Sequence, residues 1–331
     1  MIITPVVGRG QRGSKHYAAV FVCLATKAIH LECVEDYSSE GFLAAFHRFV
    51  SRRGLPSVMY SDNGTNFRGA DRKLQCSFRS LMNDPSLKEI LANDGVKWHF
   101  VPPAAPHFGG LWEAGVKSFK HHLKRVIGAR TLSRSEFVTI LCKIEACLNS
   151  RPISPLSDDP SDFTALTPGH FLIGRPLTSV PEESLLEINA NRLSLWQHVQ
   201  LMVEQIWRSW SSDYLHSVQQ RVKWTESHNN LKVDELVLLK NNLLPPSKWE
   251  LARIQQVHPG LDDRVRVVTL RTANSELKRP VRDSVNAAPS DQMAASIGYR
   301  LPITATACAR TGALIANVFL AILRVVKMAA Q

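Results

Sequence analysis

Tyr60-Ser61-Asp62-Asn63-Gly64-Thr65-Asn66-Phe67 is the stretch from which the fold is read. Ser57 to Ser61 is a short β-type run whose far end is an acid, Asp62, and turn formers follow at once. An acid at a strand end, with the amides of Asn63 and Asn66 beside it, can orient a substrate; a purely structural turn reads similarly. Upstream, Tyr17 to Ala25 and Ile29 to Val34 flank Thr26-Lys27 as an antiparallel hairpin. A helix is predicted next. Ser38 or Ser39 caps it, Phe42, Phe46, Phe49 and Val50 recur at helical spacing, and Gly54 ends it in a left-handed conformation. Downstream, the chain from Asn63 to Ser80 reads as polar and irregular. Asp84-Pro85 then opens a helix that stops near Gly95, and Val96 to Val101 is a strand broken by Pro102-Pro103.

A second acid follows Pro106-His107-Phe108-Gly109-Gly110-Leu111-Trp112, at Glu113. The glycines allow close approach of a nucleic-acid backbone. The helix they lead carries Trp112, Phe119, Leu123 and Val126 at helical spacing, with Lys117, Lys120, Lys124 and Arg125 around it. Lys117 and Lys120 share a face with Glu113, within reach of phosphates, although an ordinary Glu–Lys helix pair has the same spacing. Ser133-x-x-Glu136 is a capping box for a further helix with Phe137, Leu141, Ile144 and Leu148 as its stripe. This order of elements is that of a mixed α/β sheet with acids at its edge. Carboxylates so placed suit Mg²⁺, a hard cation able to serve phosphodiester chemistry.

The 331 residues allow two or three domains, and 44% hydrophobic content fills an ordinary core. The formal charge of +11 favours a polyanionic partner, nucleic acid first. No N-terminal apolar run suggests a secretory signal, so Cys23, Cys33, Cys76, Cys142, Cys147 and Cys308, which include no CxxC pair, are expected as thiols. Ala313 to Leu323 is too short to cross a bilayer. Prolines at 152, 155, 160, 168, 176 and 181 mark a connector. Asn191 to Gln220 is helical, with Trp196, Val199, Met202, Ile206 and Trp210 on one face. Leu236 to Leu239, Leu251 to Val257 and Val265 to Leu270 are short strands. Lys248, Arg253, Arg264, Arg266, Arg271, Lys278, Arg279 and Arg282 make that region basic, either as solvated strand faces or as a nucleic-acid surface. The tail is Ala-rich, and an amphipathic helix is expected after Thr306.

SDNGTNF, PHFGGLWEAGVKSFK, LNSRP and LTPGHFLIG, in that order, resemble the integrase core of BEL/Pao-type LTR retrotransposons, a relative of retroviral integrases. NRLSLWQHVQLMVEQIWRSW, LKVDELVLLK and PPSKWELARIQQVHPG resemble that family's C-terminal region, so the likeness covers roughly residues 5 to 285. It implies an α/β fold: an RNase H-like mixed sheet with helices over 1–180, a helical connector over 181–230 and a small basic β-barrel-like domain over 231–285, with 286–331 unassigned. It also implies two Asp and one Glu binding two Mg²⁺ (or Mn²⁺) ions to integrate DNA. Asp62 matches the second aspartate and Glu113 the glutamate. Lys117 and Lys120 match helix positions that contact element ends, and Asn63, Asn66 and Lys124 complete the expected DNA contacts. Thr4-Pro5 matches a G-P that follows the first aspartate, which puts that aspartate at Met1 and makes the core N-terminally truncated. Implied partners are element-end and target DNA and further copies of the chain, with no membrane, in a nuclear or cytoplasmic setting. The alternative is a catalytically inactive or domesticated nucleic-acid-binding protein of integrase descent.

Overall fold

The computed structural model describes residues 2–3, 14–61, 64–82, 95–100, 120–128, 132–157, 159–218, 231–241, 243–260, 264–281, 284–286 and 318–322. The protein is mixed α/β and divides into two compact units. The first comprises Met1–Glu145, Leu193–Met202 and Leu314–Gln331; the second comprises Ala146–Arg192 and Val203–Ala313.

In the first unit, β1 (Ile2–Ile3) and β2 (Ser14–Lys15) form a short ladder. The expected hairpin is present as β3 (Tyr17–Cys23) and β4 (Ile29–Val34), antiparallel from Tyr17↔Val34 to Val22↔Ile29. Lys27 turns the corner at φ 57°, and the Cys23 N–H donates to the Ala28 carbonyl at 2.8 Å. Helix α1 (Ser39–Arg53) is capped by Ser38, whose hydroxyl oxygen accepts from the Gly41 N–H at 2.9 Å. Gly54 ends it at φ 87°, ψ 164° rather than in the left-handed helical region; the extended ψ leads the chain away toward β5 (Val58–Ser61).

Residues 65–82 correct the sequence reading, because they form helix α2 (Thr65–Met82), not an irregular segment. Phe67, Ala70, Leu74 and Phe78 keep helical spacing, with Phe67 and Ala70 fully buried and Arg72, Lys73, Cys76 and Arg79 exposed. Four apolar positions among so many polar ones hid the stripe. The chain then supplies β6 (Lys97–Phe100). The tail brings a second correction: 318–322, inside the expected helix, is a strand, β14 (Val318–Ile322). It completes a five-stranded sheet of order β4-β3-β14-β5-β6. β14 is antiparallel to β3 and parallel to β5, which is parallel to β6.

Aromatic rings seat α1 on this sheet. Phe21, Phe42, Phe46, Phe49 and Phe67 are buried; Phe21 stacks on Phe49 at 4.4 Å, and Phe42 meets Phe67 edge-on at 4.9 Å. Trp98 on β6 packs against Phe42 and Phe46 and donates its Nε1–H to Ser61 Oγ at 2.9 Å. A buried charge network lies beside these rings. It links β4, α1 and helix α3 (Arg134–Asn149), which the Ser133–Glu136 capping box opens as expected. His30 contacts Glu32 at 3.0 Å and Glu145 at 3.2 Å. Arg48 and Arg52 reach Glu32 at 2.7 and 3.0 Å, and Arg53 pairs with Glu145, which also accepts the Leu31 N–H at 2.8 Å.

In the second unit, β7 (Ser154–Pro155) and β8 (Ala165–Leu166) form a ladder ahead of the short helix α4 (Pro168–Ile173). Helix α5 (Leu195–Val218), whose residues up to Met202 belong to the first unit, buries Val199, Met202, Ile206 and Trp210 as expected, but Trp196 is 52% exposed, with Lys143 over its ring. At the helix start no further turn extends the apolar face to cover that ring. Strands β9 (Leu236–Leu239), β10 (Glu250–Pro259), β11 (Val265–Arg271), β12 (Glu276–Pro280) and β13 (Ser284–Asn286) form an antiparallel sheet of order β12-β11-β10-β9-β13. Val237, Leu239, Ala252, Ile254, Val268 and Leu270 are its core. The expected helix from Asp84 and the start of that from Gly110 lie outside the described residues.

Glu145→Gln should cost about 3 kcal/mol in urea unfolding, because it leaves buried positive charge on His30 and Arg53 without a full counter-charge; an unchanged midpoint would contradict this. Burial opposes charge on His30, but its bonds to Glu145 and Glu32 outweigh it and raise the pKa. Burial likewise opposes charge on Glu32 and Glu145, yet the His30 bond and the arginines lower both pKa values. A raised histidine stabilises below its unfolded pKa and loses this as pH rises through the folded one. A lowered carboxylate stabilises above its unfolded pKa and loses this as pH falls through the folded one. The unfolding midpoint plotted against pH is therefore expected to plateau between the unfolded carboxylate and histidine values and fall on both sides. His30→Phe should flatten the alkaline fall.

Candidate functional site

Because β14, β5 and β6 run parallel, their carboxyl ends lie along one edge of the sheet, where open α/β folds bind ligands. β5 delivers Ser61 there, buried and held by Trp98, and Asp62 is the next residue. Asp62 and Asn63 lie outside the described residues, as do Glu113 and Lys117. The structure describes the residues that flank Asp62 and Asn63. Gly64 follows, and its carbonyl accepts from the N–H groups of Phe67 and Arg68, each at 3.1 Å, so α2 opens directly behind Asp62. The positive end of the α2 dipole therefore lies beside this edge, where an anion is favoured.

Asn66, in the first turn of α2, is 1% exposed, and among the described residues neither its side-chain nitrogen nor its oxygen has a hydrogen-bond partner. A buried amide in that condition costs about 1–3 kcal/mol. Residues 120–127 are helical, and Leu123 and Ile127 are buried, which seats the segment. Lys124 and Arg125 are exposed and Lys120 is half-buried.

Among the described residues no group of three His, Cys, Asp or Glu is placed to hold a metal. β14, the neighbour of β5, contains no acid between residues 318 and 322. No disulfide joins the described cysteines, and burial pushes the Cys33 thiol up to about 11, which leaves it inert at neutral pH.

The second unit separates two kinds of basic residue. Arg253 is buried and donates to the carbonyls of Asp162 and Asp234 at 2.8 Å and of Ser157 at 3.1 Å. Arg271 donates to the Pro160 carbonyl at 2.8 Å and lies over the Phe163 ring. These two fasten residues 157–163 to the sheet. Lys248, Arg264, Arg266, Lys278 and Arg279 are exposed, and Arg282 lies outside the described residues. The sequence signal that could have set Arg253 apart is its place within the apolar strand Leu251-Ala252-Arg253-Ile254. Neither the Arg253 fastening nor the His30 network was foreseen, since both depend on residues far apart in sequence.

Residues 194–286, which span α5 through β13, match a family of unknown function, DUF5641. That segment is less than a third of the chain. Among solved structures the chain is similar to the simian T-cell lymphotropic virus intasome in complex with PP2A regulatory subunit B56 gamma. That likeness has 10% identity and a TM-score of 0.31, covering 87% of this chain and 84% of that one. A likeness of that degree carries no argument about fold or activity. No curated protein matches the chain.

Asn66→Leu removes the unpaired amide at nearly constant volume and should stabilise the protein by about 1 kcal/mol, read from urea unfolding; destabilisation would show that the amide is paired in solution. Arg253→Met should cost about 3 kcal/mol by stranding three backbone carbonyls.

Proposed function

We propose that the chain is an integrase-like DNA-binding protein whose first unit is an RNase H-like core that integrates DNA by two-metal phosphoryl transfer. The reading is carried by Asp62 within SDNGTNF, immediately after the carboxyl end of an inner parallel strand and just ahead of the α2 N-terminus. The order β4-β3-β14-β5-β6, an antiparallel hairpin beside parallel strands, supports an RNase H-like arrangement. The antiparallel sheet β9–β13 supports a small barrel-like C-terminal domain. Proposed bounds are 1–180 for the core, 181–230 for the connector and 231–285 for that domain.

Mg²⁺ or Mn²⁺, when bound, would supply an activated hydroxyl and a stabilised leaving oxygen. Asp62 and Glu113 would hold it by carboxylate oxygens. Asn63 would orient the strand at the edge; Asn66, buried in the first turn of α2, would not touch it. Lys117, Lys120 and Lys124 would take backbone phosphates by charge, and the net charge of +11 favours the same partner. Element-end and target DNA and further copies of the chain are the proposed partners, in a nuclear or cytoplasmic setting. No described helix is long and apolar enough to cross a membrane. One observation favours a second reading, a catalytically inactive or domesticated DNA binder: β14 brings no acid beside Asp62 between residues 318 and 322.

A salt titration of short-duplex binding, followed by fluorescence anisotropy, should show Lys120→Ala and Lys124→Ala each lowering the slope by roughly 0.9. Asp62→Asn and Glu113→Gln should retain binding. Mn²⁺-dependent strand joining by the wild type that disappears in both variants supports the integrase reading, and binding without joining supports the second. Absence of duplex binding at low salt overturns both.

A further inference from the structure

The middle position of the first unit's sheet is filled by a strand from the far end of the chain. β14 pairs with β3 through four residues, Phe319↔Cys23 to Ile322↔Val20, and with β5 through three, Val318↔Val58 to Leu320↔Tyr60. Its flanking strands come from residues 17–23 and 58–61, whereas the described strand that precedes it, β13, belongs to the sheet of the second unit. Removal of β14 would open two unpaired edges, one of them β3, whose residues Ala18 to Cys23 are all buried. Open edges of that kind are templates for another strand. Between Asn286 and Val318 lie 31 residues, enough to span about 100 Å at full extension.

From these facts we propose that the slot between β3 and β5 is a strand-acceptor site, filled by β14 of a second copy as well as by the chain's own β14. The ladder is the same in either case, so exchange loses no contact, and the long connection removes the short-range constraint that would hold β14 to its own sheet. Each copy carries one slot and one strand, so two copies that exchange satisfy each other. The recognised ligand is thus an apolar extended segment, Val318-Phe319-Leu320-Ala321-Ile322, of this same protein. The inference does not rest on the integrase reading.

The register supplies the test. Cys23 and position 319 are antiparallel partners on one face, close enough for a disulfide when residue 319 is cysteine. Full-length Phe319→Cys/Cys23→Ser protein is mixed with wild type, incubated, oxidised with copper phenanthroline, and mapped by peptide mass spectrometry. The expected result is a 23–319 link between copies whose yield rises with protein concentration. Leu320→Cys mixed with Val22→Cys uses the next register pair and covers a failure of the first variant to fold. Links found within single Phe319→Cys chains but never between mixed copies overturn the proposal, as does the absence of any link at these pairs.

Discussion

A sheet can have open edges but not an open middle. In the first unit β3 and β5 cannot pair with each other, because a strand's width separates them, and both need hydrogen bonds along their facing sides. β14 meets that requirement by running antiparallel to one and parallel to the other. The parallel run that defines the carboxyl edge, and with it the setting of Asp62 and the α2 N-terminus, depends on that strand.

Around it, α1 does most of the packing. Its apolar face buries Phe42, Phe46 and Phe49 against Phe21, while its C-terminal arginines reach into the His30–Glu32–Glu145 network. That network joins a strand, the helix behind it and a helix more than a hundred residues away. Removing His30 or Glu145 strands a buried charge, which makes the network a source of specificity more than of net stability. Arg253 acts in the same sense in the second unit, spending its guanidinium on backbone carbonyls and not on solvent or a ligand.

Much of this was legible in the residues. The hairpin, α1, the capping box at Ser133 and three strands of the second sheet follow from periodicity and local punctuation, because those signals act within a few residues. The ends of elements and the unusual members were less legible. α2 hid behind a high polar content. Trp196 follows the helical spacing of its neighbours yet stays 52% exposed at the helix start, with Lys143 over its ring. β14 was misread because an Ala-rich run suits a helix by propensity, while its state is decided by two strands more than two hundred and fifty residues upstream. The candidate site was legible only as a motif. Sequence singled out Asn66, but its burial without a partner among the described residues is a tertiary fact.

Hydrogen–deuterium exchange of the full-length protein tests the dependence on the middle strand most directly. The expected result is that amides of Phe319 to Ile322 exchange as slowly as those of Val20 to Cys23, since each protects the other. Fast exchange of residues 319–322 with β3 still protected would mean that the sheet holds together without β14 and would contradict the account.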